Sequence, residues 1–301
     1  MRTHFPKISI VTPSYNQGLF LEETIRSVLD QNYPNLEYGV MDGGSKDESV
    51  AIIKKYTDRL SFWSSEKDGG TYDAINKGFA KTSGEIMGWL NSDDKFLPWT
   101  FSVVSEIFSG FPEIEWLTTA NPLHWDKDGR CVACFYVGGF NRSTFMGGAN
   151  LPGGNLHVGP WIQQESTFWR RSLWERTGAG LETSSIAGDF EIWARFFAYA
   201  KLYSVAVPLG GFRVHGNQIS VQRRGEYMFE GEKILGRFGG KRFSLPRRVL
   251  RVALDKGLGG KSLANLPAPV RSGLQRLGIA FPVPIFRWKD GAWNIVQDLI
   301  F

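Results

Sequence analysis

The chain has 301 residues, of which 42% are hydrophobic, so it can bury a large core. This composition argues against an intrinsically disordered protein. No run reaches the ~18 to 20 apolar residues of a membrane-spanning helix, and the polar start lacks the apolar stretch of a signal peptide, so we expect a cytoplasmic protein. The net charge of +5 is uneven, because residues 1–222 hold 20 Lys or Arg against 24 Asp or Glu, whereas residues 223–301 hold 15 against 6. The first part suits a metal-dependent catalytic domain, and the second suits contact with an anionic surface.

The first ninety residues alternate short β-branched runs with segments of helical periodicity. Residues 8–12 read as a strand, and Leu21, Ile25, Val28 and Leu29 then recur at helical spacing. Further strands and helices are expected in the same alternation at residues 36–41, 50–56, 60–63, 72–79 and 85–90. Four such units predict an α/β fold with a mainly parallel sheet flanked by helices on both faces.

Polar and acidic loops follow these strands, at the sheet edge where ligands bind in such folds. Asp93 and Asp94 follow an apolar strand and could hold Mg²⁺ or Mn²⁺ while phosphates supply further ligands. Asp42 ends the second strand, where a carboxylate can accept hydrogen bonds from a base or ribose. Residue chemistry alone leaves a second interpretation open, because Asp and Gly in these positions also satisfy ordinary turns.

The second half of the chain contains three further candidate features. The segment between Gly138 and Gly159 holds seven glycines and is a candidate lid or acceptor loop. A helical pattern follows Asp189, whose carboxylate could act in catalysis or could only cap that helix. His215 follows an apolar-to-basic stretch and could be either a metal ligand or a structural residue.

Taken together, these motifs form an ordered series along the chain. They are Ser9-Ile-Val-Thr-Pro-Ser-Tyr-Asn16, Ser27-Val-Leu-Asp-Gln31, Asp42-Gly-Gly-Ser-Lys-Asp47, Asp68-Gly-Gly-Thr-Tyr-Asp-Ala-Ile-Asn-Lys-Gly78, Asn91-Ser-Asp-Asp94, Gln163-Gln-Glu-Ser-Thr-Phe-Trp-Arg170, Gly188-Asp-Phe-Glu-Ile-Trp193 and Phe212-Arg-Val-His-Gly-Asn-Gln-Ile-Ser220. The series resembles the family 2 glycosyltransferases, which have the Rossmann-like GT-A fold and use nucleotide-diphospho-sugars.

The resemblance assigns roles to individual residues. It implies donor binding by Thr12, Pro13, Tyr15, Asp42, Asp68, Asn91 and Asp93. Pro13, Tyr15 and Asp42 border the nucleoside in this assignment, and Asp68 lies near the ribose or sugar. Asp94 is the leading ligand of a divalent cation, with Asp93 beside it, and His215 either completes the metal shell or contacts the diphosphate. Asp189 is the catalytic base, with Glu191 as the less favoured alternative for that role. Gln164 and Glu165 face the acceptor.

Two departures from the family pattern bear on these roles. Many relatives carry acids where this chain has Asn91 and Gly188, which weakens the expectation of metal dependence. The chain lacks the Gln-x-x-Arg-Trp segment that marks processive synthases, so we expect single additions. The implied reaction inverts the anomeric carbon, because Asp189 deprotonates the acceptor hydroxyl as it attacks opposite the diphosphate.

The basic tail contains two amphipathic segments, at residues 244–256 and 270–277. They could dock on an anionic membrane that carries a lipid-linked acceptor, at the inner face of the cell membrane. They could also pack on the catalytic domain with their basic face in solvent. No nucleic-acid-binding motif accompanies the charge, so we expect no nucleic-acid partner.

The sequence therefore predicts a catalytic domain over residues 1–222, with a donor half at 1–98 and an acceptor half at 99–222, and a basic helical extension over 223–301. The predicted function is an inverting, non-processive transfer of a sugar, from a UDP-sugar by preference, to a glycan or lipid-linked acceptor in cell-surface polysaccharide synthesis. The alternatives are a non-catalytic nucleotide-sugar-binding protein and a nucleotidyltransferase on a similar sheet. A nucleotidyltransferase would need a cationic Gly-rich loop after the first strand to bind a triphosphate, and this chain lacks such a loop.

Overall fold

The computed structural model describes residues 5–151, 161–216, 218, 222–257 and 266–301. The strands in these residues are β1 (Ile8–Ser14), β2 (Leu36–Asp42), β3 (Phe62–Ser65), β4 (Ile86–Trp89), β5 (Lys95–Phe96), β6 (Trp116–Thr119), β7 (Leu123–Trp125), β8 (Cys131–Cys134), β9 (Phe168–Arg170), β10 (Leu202–Val205), β11 (Gly210–Arg213), β12 (Phe281–Lys289) and β13 (Ala292–Ile300). The α-helices are α1 (Gly18–Leu29), α2 (Ser49–Lys55), α3 (Thr71–Phe79), α4 (Thr100–Gly110), α5 (Arg142–Met146), α6 (Arg171–Arg176), α7 (Gly188–Tyr199), α8 (Arg224–Arg237), α9 (Leu245–Gly257) and α10 (Ala268–Arg276). Short 3₁₀ turns lie at Thr57–Arg59 and Gln164–Ser166.

The strands form a large sheet and a small one. The large sheet has nine strands in the order β13-β12-β10-β6-β9-β4-β1-β2-β3, and the small sheet has the order β5-β11-β7-β8. β1 pairs in parallel with β2 and β4, and β2 pairs in parallel with β3. β9 is antiparallel to both of its neighbours, β4 and β6. The predicted α/β fold with a mainly parallel sheet is confirmed.

Helices cover both faces of the large sheet, which explains why its strands are apolar at successive positions. Neighbouring residues of β1 point to opposite faces, so Ile10 joins one core cluster and Val11 joins the other. The Ile10 cluster includes Leu21 and Ile25 of α1, and the Val11 cluster includes Ile75 of α3. Both faces of β1 are therefore buried, and only the polar loop that follows its carboxyl end is accessible to a ligand.

Stacked tryptophans hold α7 against the sheet. Trp193 of α7 stacks on Trp89 of β4 at 5.8 Å between ring centroids and on Trp116 of β6 at 5.7 Å. All three side chains are buried. Each such ring contributes roughly 2 to 3 kcal/mol through burial. Because these contacts fix α7 in place, they also fix Asp189 in its first turn.

The segment from residue 223 onward contains the expected helices and one element that the sequence prediction did not include. β12 and β13 form an antiparallel hairpin, and β12 pairs in parallel with β10 at Ile285 and Phe286. Val283, Ile285 and Phe286 are fully buried against the large sheet. The hairpin therefore extends the central sheet of the fold. The sequence had predicted a purely helical extension over residues 223–301, separate from that sheet. Among the described residues, no helix is long and apolar enough to span a membrane.

Candidate active site

The loops after β1 and β2 are joined by hydrogen bonds. The backbone N–H of Asn16 donates to Oγ of Ser45 at 2.7 Å, and Oδ1 of Asn16 accepts from the N–H of Lys46 at 2.9 Å. Asn16 holds the left-handed φ of 52° that this sharp turn requires. Thr12 is buried and pairs with the Tyr38 hydroxyl, while the Tyr15 ring beyond Pro13 is 62% exposed. The two loops thus form one rigid edge with an open aromatic ring beside it.

Asp42 is buried at the end of β2, where its carboxylate organises the loop that follows. It accepts from the N–H groups of Gly44 and Ser45 at 3.2 and 2.9 Å, and from the hydroxyls of Ser45 and Ser65 at 2.5 and 2.6 Å. Gly43 lies against Asp68, because a Cβ atom at Gly43 would be 3.0 Å from Oδ2 of Asp68. The structure therefore brings the predicted donor residues Asp42 and Asp68 to the same place.

Asp93 and His215 form a close pair at the ends of β4 and β11. Nε2 of His215 is 3.0 Å from Oδ2 of Asp93. The imidazole ring packs on Phe20 of α1 at 4.8 Å between ring centroids, which fixes its position. A carboxylate and an imidazole side by side are donors that a divalent transition-metal ion accepts.

Asp94 differs from Asp93, because it is completely buried. Oδ1 accepts from the backbone N–H of Arg213 at 2.7 Å, and Oδ2 lies 3.4 Å from Nδ2 of Asn91. Burial raises the pKa of Asp94 well above its usual range, and repulsion from Asp93 and Glu165 adds to the increase. Asp94 thus ties the loop after β4 to β11.

Arg213 at the end of β11 is also buried and makes its bonds to protein groups. Its guanidinium donates to the carbonyls of Asp93 at 2.6 Å and Lys127 at 3.2 Å, and it pairs with the Glu23 carboxylate at 2.5 Å. Arg213 therefore fixes the loop that carries Asp93.

Gln164 and Glu165 lie in a buried 3₁₀ turn between the two halves of the site. Gln164 donates to the carbonyl of Trp89 at 2.6 Å and accepts from Asn91 at 3.2 Å. Burial, together with the nearby charges of Asp93 and Asp189, raises the pKa of Glu165 to about 8. Among the described residues, Oε1 of Glu165 has no hydrogen-bond partner. Glu165 therefore lies near enough to both Asp93 and Asp189 for their charges to disfavour its ionisation.

Asp189 lies in the first turn of α7, but Ala187 is the N-cap, so Asp189 does not cap this helix. Its Oδ1 accepts from the N–H of Phe190 at 2.8 Å and from the hydroxyls of Tyr227 at 3.0 Å and Tyr72 at 3.4 Å. Burial raises the pKa of Asp189, and these three donors oppose the increase by stabilising the carboxylate. Neither tyrosine was assigned a role from the sequence.

The neighbours of Asp189 clarify two features of the sequence. A Cβ atom at Gly188 would lie 2.8 Å from the Tyr72 ring, so this ring occupies the space that an acidic side chain would need at position 188. Glu191 is buried and pairs with Arg195, with 2.9 Å between Oε2 and Nε. Glu191 therefore holds a structural ion pair, whereas Asp189 faces the two tyrosine hydroxyls.

Two predicted features are only partly covered by the structure. Within the described ranges, no group of three or more His, Cys, Asp or Glu side chains is arranged to hold a metal ion. The Asp93–His215 pair is therefore the set of side chains that this geometry offers as ligands to a metal ion. The glycine-rich segment between Gly138 and Gly159 includes α5, and its residues 152–159 lie outside the described residues.

A family model described as glycosyl transferase family 2 matches residues 9–112. An uncharacterized glycosyltransferase of Rickettsia prowazekii is 38% identical over 213 residues, which cover 71% of this chain and 65% of that protein. An uncharacterized glycosyltransferase of Mycobacterium tuberculosis is 41% identical over 95 residues, 31% of this chain and 36% of that protein. The putative teichuronic acid biosynthesis glycosyltransferase TuaG of Bacillus subtilis is 35% identical over 94 residues, 30% of this chain and 37% of that protein. The match thus spans only about a third of the length of several curated relatives.

Solved glycosyltransferase structures share the fold. S. aureus TarS residues 1–349 in complex with UDP-GlcNAc superposes with a TM-score of 0.56 at 17% identity, over 84% of this chain and 73% of that one. The mannosyltransferase PcManGT from Pyrobaculum calidifontis in complex with GDP-Man and Mn²⁺ superposes with a TM-score of 0.55 at 16% identity, over 92% and 80% of the two chains. Because these superpositions cover 84% and 92% of this chain, the likeness in fold extends well beyond residues 9–112.

Proposed function

Because the chain belongs to the family 2 glycosyltransferases and has their GT-A fold, we propose that it transfers a sugar from a nucleotide-diphospho-sugar to an acceptor hydroxyl with inversion of the anomeric carbon. The observation that carries the proposal is the joint placement of two acidic centres. The Asp93–His215 pair and Asp189 belong to different elements, yet both Asp93 and Asp189 act on the pKa of Glu165. An enzyme of this kind needs one centre for the departing diphosphate and another for the proton of the acceptor.

The donor is proposed to bind at the joined loops after β1 and β2. Pro13 and Tyr15 border the nucleoside, with the exposed Tyr15 ring available to stack on the base, and the buried Thr12 supports this loop. Asp42 keeps the loop in shape, and Asp68 lies near the ribose or sugar. UDP is the favoured nucleotide, and the UDP-GlcNAc complex of TarS supports a uridine donor on this fold.

A divalent cation, Mn²⁺ or Mg²⁺, is proposed at Asp93 and His215, where a carboxylate that suits either ion lies 3.0 Å from an imidazole that suits Mn²⁺ better than Mg²⁺. When bound, such an ion supplies positive charge that stabilises the diphosphate leaving group. We rank Asp93 and His215 above Asp94 as ligands, because Asp94 is buried and accepts the backbone N–H of Arg213. The Mn²⁺ of PcManGT supports a metal-assisted reaction on this fold.

Asp189 is proposed to take the proton of the acceptor. As the acceptor oxygen forms its bond to the anomeric carbon, the bond from that carbon to the diphosphate oxygen breaks, and the proton passes to the Asp189 carboxylate. The raised pKa of Asp189 makes it a stronger base than an exposed aspartate. No covalent sugar-enzyme intermediate is needed, because attack and departure occur on opposite faces of the sugar.

The proposed acceptor is a glycan or a lipid-linked glycan in cell-surface polysaccharide synthesis, and one sugar is added per encounter. The name of the TuaG relative supports this class of pathway. Peripheral contact with the inner face of the cell membrane is proposed for α9 and α10. Leu245, Val249 and Leu250 of α9 are exposed, as is Leu277 after α10, and basic side chains such as Arg248 accompany them.

The proposed function is tested by a thermal-shift screen of UDP, GDP, dTDP and CMP, followed by their sugars, each with and without Mn²⁺. A ligand that binds the native state raises the melting temperature, and we expect a Mn²⁺-dependent increase with a single diphosphate class, UDP by preference. The corresponding sugar donor is then assayed for nucleotide release with candidate glycan acceptors. A lack of any shift across the panel would favour a non-catalytic member of the fold, and a preference for nucleoside triphosphates would favour a nucleotidyltransferase.

A further inference from the structure

The helix α8 lies beyond the predicted catalytic domain but packs directly on α7. Ile234 and Leu235 of α8 are buried in the same core cluster as Trp193 and Phe196 of α7. Tyr227, near the start of α8, packs against the same cluster. The first half of α8 is thereby held beside the loop that leads into Asp189.

Tyr227 donates to Oδ1 of Asp189 at 3.0 Å. The Phe190 N–H and the Tyr72 hydroxyl reach the same oxygen. Tyr72 is the weaker of the two hydroxyl donors, because its oxygen lies 3.3 Å from the carbonyl of Ile186 and 3.4 Å from Asp189. Within the part of the chain that the structure describes, these three donors reach Oδ1 and none of them reaches Oδ2, so they orient the carboxylate and leave its second oxygen for another partner.

A second residue of α8 holds the backbone that precedes Asp189. Oε2 of Glu230 accepts from the hydroxyl of Ser185 at 2.5 Å and from the N–H of Ile186 at 2.8 Å. The Ser185 hydroxyl in turn accepts from the N–H of Ala187 at 3.0 Å. Glu230 therefore fixes the three residues that lead into α7.

We infer that α8 completes the active site, with Tyr227 and Glu230 as positioning residues that hold Asp189 so that Oδ2 faces the acceptor hydroxyl. This inference rests on the proposed role of Asp189 as the base. It extends the catalytic unit past residue 222, the boundary that the sequence predicted. Neither residue touches the donor in this assignment, so both act through Asp189.

The sign of the expected pH effect follows from the groups around Asp189. Tyr72 faces it from α3 and Tyr227 from α8, and the carboxyl group of Glu165 lies near enough in the 3₁₀ turn for the charge of Asp189 to raise the pKa of Glu165. A hydroxyl that donates to the carboxylate favours the ionised form and lowers the pKa of Asp189. Loss of the Tyr227 hydroxyl should therefore raise this pKa, and a base that must be ionised then works only at higher pH.

The test compares the pH profiles of kcat/KM for the full-length wild type and Tyr227→Phe. We expect the acid limb of the profile to move upward by about one pH unit, with KM for the donor unchanged. Tyr56→Phe is the matched control, because Tyr56 donates to the Glu22 carboxylate at the same 3.0 Å, away from Asp189. The control should leave the acid limb in place.

Glu230→Gln supplies a second and independent variant. It should lower kcat at least about fivefold without changing donor KM, because the loop before Asp189 loses a charge-assisted acceptor. Glu226→Gln is its control, since Glu226 lies one turn earlier in α8 and pairs with Arg223 at the surface. Circular dichroism and melting temperature verify that each variant is folded.

Two outcomes overturn the inference. An unmoved acid limb in Tyr227→Phe, together with an unchanged kcat in Glu230→Gln, would show that α8 has only a structural role. The transfer activity of Asp189→Asn shows whether the role of α8 alone is wrong or whether the proposed base is wrong as well. If Asp189→Asn is inactive while Tyr227→Phe and Glu230→Gln both behave like the wild type, only the role of α8 is rejected, whereas an active Asp189→Asn rejects the base itself.

Discussion

Nε2 of His215 lies 3.0 Å from Oδ2 of Asp93, although 122 positions separate the two residues in the chain. The contact exists because β11 ends beside the loop that follows β4. Arg213 strengthens this arrangement, since its backbone N–H binds Asp94 and its guanidinium binds the carbonyl of Asp93. The pair is thus held in place by the fold and does not depend on a chance approach of two surface side chains.

The first prediction concerns this pair. His215→Ala should weaken Mn²⁺-dependent binding of UDP by at least about tenfold, because it removes one of the two proposed protein ligands. Isothermal titration calorimetry with and without Mn²⁺ measures the effect. His124→Ala is the matched control, because His124 lies on β7 of the same small sheet and stacks on Trp161. Equal Mn²⁺ dependence in wild type and His215→Ala would remove His215 from the metal site.

The second prediction concerns Gly188. Gly188→Ala places a Cβ atom 2.8 Å from the Tyr72 ring, so the ring must move and its hydroxyl should leave Asp189. We expect a several-fold loss of kcat with donor affinity retained, measured by steady-state kinetics. Gly225→Ala, in the first turn of α8, has open space around the new methyl group and serves as the control. Unchanged kcat in Gly188→Ala would mean that the position of Tyr72 does not matter for turnover.

The third prediction concerns the pH dependence of stability. Glu37 accepts from Lys7 at 2.7 Å, Ser9 at 2.6 Å and the N–H of Ser83 at 2.7 Å. Burial opposes ionisation of Glu37, but these bonds outweigh it and lower its pKa from 4.5 to about 2. A lowered pKa in the folded state stabilises the protein above pH 4.5, and this contribution is lost as the pH falls towards 2.

Glu37→Gln should therefore lower the free energy of unfolding by about 1 to 2 kcal/mol at pH 7, allowing for the partial exposure of Lys7. Urea unfolding at pH 7 and pH 3 measures the difference between wild type and variant. The difference should shrink at pH 3. Glu113 is exposed, so Glu113→Gln is the control and should leave the free energy of unfolding almost unchanged at either pH. A constant difference at both pH values would show that the charge of Glu37 is not its cause.

The fourth prediction concerns the tail. Replacing both Leu245 and Val249 by Asp should reduce co-sedimentation with vesicles of anionic lipid at least about fivefold, because two exposed apolar side chains are lost from the proposed docking face. Binding by the wild type should also weaken as salt rises. Val132→Asp, at an exposed apolar position on β8, is the control. Point variants are preferable to removal of residues 241–301, because that segment includes β12 and β13 of the large sheet. Equal sedimentation of all variants would reject docking through α9.

Much of the fold could be predicted from local sequence. The strands at Ile8–Ser14 and Leu36–Asp42 follow from β-branched runs bounded by polar turns, and the helices between them follow from apolar periodicity. The hairpin of β12 and β13 was missed, because Pro282 and Pro284 within its first strand are atypical of a sheet interior. These prolines precede the two positions, Ile285 and Phe286, at which β12 pairs with β10.

The site residues divide in the same way. Asp42, Asp93 and Asp189 could be proposed from motifs, since each stands beside a strand end or helix start. The contact of Tyr227 with Asp189 had no local signal, because it depends on how α8 packs over α7. The difference between Asp93 and Asp94 was also hidden. Asp93 pairs with His215, whereas its neighbour Asp94 is fully buried and accepts the backbone N–H of Arg213.

The most direct test of the central claim is the transfer activity of Asp189→Asn, measured with donor binding on the same preparation. Removing the base should lower kcat by at least about a hundredfold while the dissociation constant for the donor stays within about twofold. Glu191→Gln, in the same turn of α7, should keep its activity because Glu191 pairs with Arg195. Full activity of Asp189→Asn, above all with loss of activity in Glu191→Gln, would contradict the assignment of Asp189 as the base.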